Sequence, residues 1–152
     1  MILTSTSFSA GGRIPAEFTC EGADRSPQLA WSAAPAGTRS FALIIDDPDA
    51  PGRTWSHWGL YDIPADRAQL PAGFSRQLTG SGIGQAFNDF RRAGYGGPCP
   101  PPGHGVHHYR FRVFALDVEH LAVRPGADCR TLERALRPHV LAEAELTGTY
   151  SR

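Results

Sequence analysis

Glycine and proline punctuate this chain from end to end, and that limits what it can fold into. The sequence carries 17 glycines and 13 prolines in 152 residues. Such a share disfavours a helical bundle and suits many short strands joined by turns. The length fits a single domain spanning residues 1–152, large enough to bury a core without staples.

Hydrophobic periodicity places the strands between those breaks. Ile2 to Phe8 alternates as a strand with one buried face, and Gln28 to Ser32 reads as a second short strand. Ser40 to Asp46 is a continuous apolar run ending in aspartates, as expected of a strand buried on both sides. Trp55 to Ile63 puts Trp55, His57, Gly59, Tyr61 and Ile63 on one side, with Trp58, Leu60 and Asp62 on the other. His107 to Asp117 is the clearest strand, with His107, Tyr109, Phe111, Val113 and Ala115 sharing a face. From Pro71 to Gly105 the chain is loop-dominated. A connection of that length in a compact domain points to a functional segment, and Phe87, Phe90 and Tyr95 favour an ordered one. Asp128 or Thr131 caps a helix from about Thr131 to Arg137, with Leu132, Leu136 and Leu141 spaced for one side and Pro138 breaking it. Ala142 to Tyr150 alternates as a closing strand.

Several function classes drop away. A formal net charge of +0 leaves no large electrostatic footprint for nucleic acid. Every basic residue is arginine, so Schiff-base chemistry on lysine is impossible. Cys20, Cys99 and Cys129 are far apart and odd in number, without the short spacing of a zinc or redox motif. The first residues lack the pattern of a secretion signal, and no apolar run is long enough to span a membrane. The expectation is a soluble, cytoplasmic protein with reduced thiols, Cys99 being a candidate reactive one.

Three polar clusters flank the strands: DDPDAP at Asp46 to Pro51, WSH at Trp55 to His57, and GHGVHHY at Gly103 to Tyr109. Ends of neighbouring strands meet at one rim of a sheet, where ligand sites commonly form. Asp47, Asp49, His57, His107 and Tyr109 are therefore the groups to explain, while His104 reads as solvated. Two aspartates and several histidines are legitimate metal ligands, yet they lack a recognised spacing, and strand alternation sends His107 and His108 to opposite faces. No metal and no other cofactor is expected. Ser56 lacks the surroundings of a hydrolase nucleophile.

The same clusters in the same order, with GYGGPCPPPGHGVHHYRFRVFALD at Gly94 to Asp117, resemble the phosphatidylethanolamine-binding protein family, also called Raf-kinase-inhibitor-like proteins. FTCEGADRSPQLAW near the start and HVLAEAELTGTYSR at the end resemble its bacterial branch. The resemblance implies a mainly β fold with a central antiparallel sheet, a smaller sheet and short peripheral helices. It also implies a cavity for phosphate-type anions, lined by Asp47, Ala50, Pro51, Trp55, His57, Pro101, Gly103, His107 and Tyr109, with Asp49 bracing the loop beside it. Relative to animal members the C-terminus is shorter, so the helix that partly covers their cavity is expected to be absent or replaced. Position 108 is histidine where they often carry arginine.

In such a cavity Asp47, beside His57 and His107, would hold both imidazoles charged and orient them. Two charged N–H donors and the Tyr109 hydroxyl would then meet the anion. The expected function is binding of a phosphate-type anion, phosphorylated small molecule or phosphorylated protein, with regulation of a phosphorylated partner or kinase as its extension and a homodimer left open. The alternative is a hydrolase of a phosphate or acyl ester using an Asp47–His57 pair as general base.

Overall fold

The computed structural model describes residues 1–152 as two antiparallel sheets with few helical turns. The smaller sheet joins β1 (Ile2–Thr4), β2 (Leu29–Ser32) and β5 (Gln69–Leu70) in the order β1-β2-β5. The larger sheet is built on β3 (Ser40–Asp47) and β4 (Trp55–Pro64), with β6 (Gly84–Gln85), β7 (His107–Leu116) and β8 (Val140–Tyr150) completing the order β6-β4-β3-β7-β8. All eight residues of β3 are buried, as its unbroken apolar run requires of a strand with two covered faces.

Those two faces differ. One packs toward the smaller sheet and holds the larger core, including Leu43, Ile45, Trp58, Leu60, Phe111 and Val113. The other is covered by α1 (Cys129–Leu136), which sets Leu132 and Leu136 against Ala42, Ile44 and Phe114. Asp128 caps this helix by accepting the Thr131 amide at 2.8 Å. The helix can sit close because β4 offers Gly59 beneath it: a Cβ there would meet Cys129 Sγ at 2.9 Å.

A buried charge network completes the helix side. Asp46 accepts from Arg110 Nε at 2.8 Å and from Arg112 at 2.9 Å, and Arg112 continues to Glu133 on α1 at 2.8 Å. The guanidiniums beside Glu133 hold its carboxyl below the usual range although burial works the other way.

The fold expected from the resemblance is present, but local readings change in four places. β1 stops at Thr4 instead of running to Phe8, because Ser5 and Ser7 hydroxyls bond the Gln28 backbone and draw the chain off the ladder. The helix begins at Cys129, two residues earlier than expected. Leu141 is not on its buried side but exposed on β8.

The fourth change is the strand β4, which breaks period-2 alternation twice. Ile45 pairs with Trp58 and Asp46 with Ser56, so His57 is an extra residue with no partner of its own. A second irregularity sets Tyr61 and Asp62 opposite Ala42, with Asp62 at φ 59°. Consequently Trp58, Leu60 and Ile63 all enter the larger core, while Tyr61 packs toward α1.

Candidate functional site

Antiparallel pairing brings the end of β3 and the starts of β4 and β7 to one rim, on the larger-core side. Asp47 pairs with Trp55, and Asp46 with Arg110. A cavity of about 310 Å³ opens there. Asp47, Ala50, Pro51, Trp55, His57, Pro101, His107 and Tyr109 line it, so the structure gathers these sequence-selected residues in one place. Gly103 lies outside the wall: it is exposed, and its N–H donates to the Arg152 carbonyl at 3.1 Å. Phe90, Cys99 and Pro100 also line the cavity, a position the sequence did not indicate for them. Their signal was the length of the loop that carries them, which does not say which of its residues turn inward.

Hydrogen bonds assign each polar group. Asp47 Oδ2 accepts from His107 Nδ1 at 2.7 Å, and Oδ1 accepts the Asp49 amide at 2.8 Å across Pro48. The second His107 nitrogen lies 2.6 Å from His104 Nδ1. His104 is therefore not simply solvated. It ends a chain running His104–His107–Asp47 from the surface into the rim. Asp49 turns away and accepts from the backbone and ring of His108, both at 2.8 Å, and these bonds lower its pKa.

His57 behaves differently from the expectation. It makes no bond to Asp47; its Nδ1–H donates to the Gly96 carbonyl at 2.6 Å. Burial pushes its pKa down, outweighing the Gly96 carbonyl and Asp47, which act in the opposite direction. The neutral ring is favoured, so Asp47 does not hold His57 as an imidazolium, and the proposed Asp47–His57 general-base pair is not formed. Beside it, the Tyr109 ring meets the imidazole edge to face at 5.3 Å. Burial, with the Asp47 charge adding to it, raises the Tyr109 pKa and keeps the phenol protonated. The Tyr109 hydroxyl and Trp55 Nε1–H are both buried without a partner. Trp31 Nε1 and Arg112 Nε are also without a partner and do not line the cavity, so it is the position of Tyr109 and Trp55 in its wall that bears on a ligand.

The outer wall is held by covalent chemistry. Cys20 and Cys99 form a disulfide across 79 residues. This corrects the expectation of reduced thiols and removes Cys99 as a reactive one. Two bonds dock the same loop: Cys20 N–H donates to Pro98 O at 3.1 Å, and Gly97 N–H to Asp24 Oδ1 at 2.8 Å. Cys129 is the free cysteine; burial pushes its thiol up to about 12, which keeps it unreactive. No group of three or more histidine, cysteine or acidic side chains is arranged to hold a metal ion. No helix is long and apolar enough to cross a membrane.

Comparison with known proteins sets this geometry in context. A sequence profile described as phosphatidylethanolamine-binding protein matches residues 4–151. A protein of Aquifex aeolicus, described as a UPF0098 protein, is 49% identical over 152 residues, covering 100% of this chain and 89% of its own length. The crystal structure of Escherichia coli YbcL, described as a new member of the mammalian PEBP family, superposes with a TM-score of 0.94 at 38% identity, covering 99% of this chain and 98% of YbcL. CT736 of Chlamydia trachomatis superposes with a TM-score of 0.86 at 35% identity, covering 99% and 96% of the two chains.

Proposed function

The chain belongs to the phosphatidylethanolamine-binding protein family, and from that premise we propose that it is a binding module for small phosphoryl-type acids, without turnover of its own. The observation that carries this reading is Tyr109, which lines the cavity and whose buried hydroxyl has no partner in the protein. Leaving a buried donor unsatisfied costs about 1–3 kcal/mol, a cost that a ligand oxygen would relieve. Trp55 Nε1–H offers a second donor, and Pro51, Pro101 and Phe90 give rigid apolar walls for the rest of the ligand.

Affinity for a bare anion should be modest. Charge-assisted hydrogen bonds contribute roughly 1.5–3 kcal/mol each, against an association cost of about 4 kcal/mol or more. A phosphorylated small molecule or protein, adding contacts on the walls, would bind more tightly. Regulation of such a partner, a kinase pathway component included, is the extension of this reading that fits the family. Titration with phenyl phosphate, followed by NMR of the His57 ring and the residues around Tyr109, tests the site. Shifts confined to residues outside the cavity would remove it.

A hydrolase reading has less behind it. Asp47 is engaged by His107 and His57 by the Gly96 carbonyl. Turnover of phosphoesters or carboxylic esters that disappears in His57→Ala would revive it. Cytoplasmic residence is tested by the bridge. Thiols alkylated at the moment of lysis should number three per chain in a reducing compartment, and one, from Cys129 after denaturation, in an oxidising one.

A further inference from the structure

The polar groups on the residues that line the cavity do not all ask the same of a ligand. Tyr109 O–H and Trp55 Nε1–H each have a proton to give. His57 has the reverse requirement. Its Nδ1 sits 2.6 Å from a backbone carbonyl, which can only accept, so the ring proton is on Nδ1. Nε2, across the ring and without a hydrogen bond to the protein, is then a lone pair in the wall. Burial of the ring keeps it in that uncharged form. Nearby, the Asp47 carboxylate can only accept. His107 cannot turn a free N–H inward without giving up either Asp47 or His104.

Building on the reading of the cavity as a site for phosphoryl-type acids, we propose that it selects acids that retain one O–H, namely phosphomonoester monoanions, over equally charged oxyanions without a proton. The P–OH donates to His57 Nε2, and the unprotonated oxygens accept from Tyr109 and Trp55. A sulfate ester or a phosphodiester has no proton to offer. It sets an oxygen lone pair against the His57 lone pair, close to the Asp47 carboxylate, and leaves the imidazole nitrogen stripped of water and unpaired. Escaping that clash by protonating His57 would place a cation where burial opposes one. Sulfate and phosphate esters are nearly identical in shape, so this single hydrogen is the feature by which the cavity separates them.

Charge-matched probes isolate the hydrogen. At about pH 5.5, below the second ionisation of a phosphomonoester near pH ~6, phenyl phosphate is mainly a monoanion, the charge that methyl phenyl phosphate and phenyl sulfate carry on the same aromatic group. Only the first has the O–H. Calorimetric titration of the unmodified protein should show phenyl phosphate binding roughly tenfold or more tightly than either of the others, as expected for a buried acceptor left unpaired. Phenyl sulfate lacks the extra methyl of the diester, so weak binding of both cannot be assigned to size. In the phenyl phosphate complex, the His57 ring nitrogens should retain the signature of a neutral imidazole protonated on Nδ1. Equal affinity for the three probes, tighter binding of the sulfate, or an imidazolium in the phosphate complex overturns the proton requirement and leaves the anion site standing. Failure of all three to bind overturns the site itself.

Discussion

Asp46 and Asp47 are adjacent on β3, both buried, and face opposite ways. Asp46 looks toward α1, where the guanidiniums of Arg110 and Arg112 surround it and Arg112 ties it on to Glu133. Asp47 looks into the cavity, where one imidazole and one backbone amide reach it, in company with a tyrosine hydroxyl that has nothing to bond. One carboxylate is saturated and serves the structure. The other stands among groups that are still waiting for a partner. The same residue type has opposite uses because the pleat of one strand delivers alternate side chains to a helix on one side and to a loop-walled cavity on the other.

Matched substitutions break or sharpen that contrast. Asp46→Asn should cost the most, about 3–5 kcal/mol by urea unfolding, because it leaves two guanidiniums, one of them 9% exposed, without their shared carboxylate and Arg112 with Glu133 as its remaining anionic partner. Asp47→Asn should cost clearly less, about 1–3 kcal/mol, while narrowing the preference for phenyl phosphate over phenyl sulfate, because it removes the negative charge beside the anion. Equal destabilisation by the two would erase the distinction. On the cavity side the staple is the disulfide, so Cys20→Ser should lower stability by about 2–4 kcal/mol through loss of a long closed loop. The same variant should loosen the 96–101 segment in hydrogen exchange while α1 stays protected.

pH gives a gentler probe of the same side. His57 has its pKa lowered in the folded protein, so the unfolded chain takes up its proton first as pH falls. Its contribution is fully present above the ordinary histidine value of about 6.5 and declines as pH falls below it, by at most about 1.4 kcal/mol per pH unit. Denaturant curves between pH 7.5 and 5.5 (a range chosen to straddle about 6.5) should show this slope, and His57→Gln should flatten it. Tyr109→Phe should have the smallest effect on folding. Deleting a hydroxyl with no partner should be neutral or stabilise by up to about 1 kcal/mol, yet weaken phenyl phosphate binding roughly three- to tenfold. A marked loss of stability in Tyr109→Phe would mean that the hydroxyl is bonded after all.

How much of this could be read from the residues depends on whether strict periodicity survives. In β7 it does: His107, Tyr109, Phe111, Val113 and Ala115 share a face as their alternation requires. In β4 it does not: the first irregularity exchanges Trp58 and Leu60 for Gly59 and Tyr61 on the side expected to hold Trp55, His57, Gly59, Tyr61 and Ile63, and the second returns Ile63 to it. No residue type in that stretch announces the extra position. The cavity members on strand ends were legible since antiparallel neighbours must meet at a rim. The Cys20–Cys99 pairing was not, because sequence separation says nothing about which distant loops touch. Nor was the His104–His107 contact, which depends on how the turn at Gly105 folds back.

The extra residue in β4 has a consequence for how such a site can come and go. Excise position 57, and the pairing of Ile45 with Trp58 runs directly into that of Asp46 with Ser56, with no remaining side chain asked to change sides. His57 is thus an insertion in a stretch of β3–β4 pairing that would be regular from Leu43 to Asp47 without it. Whatever chemistry that imidazole supplies to the cavity can be added or removed by a single codon, while the hydrophobic pattern on which the domain depends passes through unaltered.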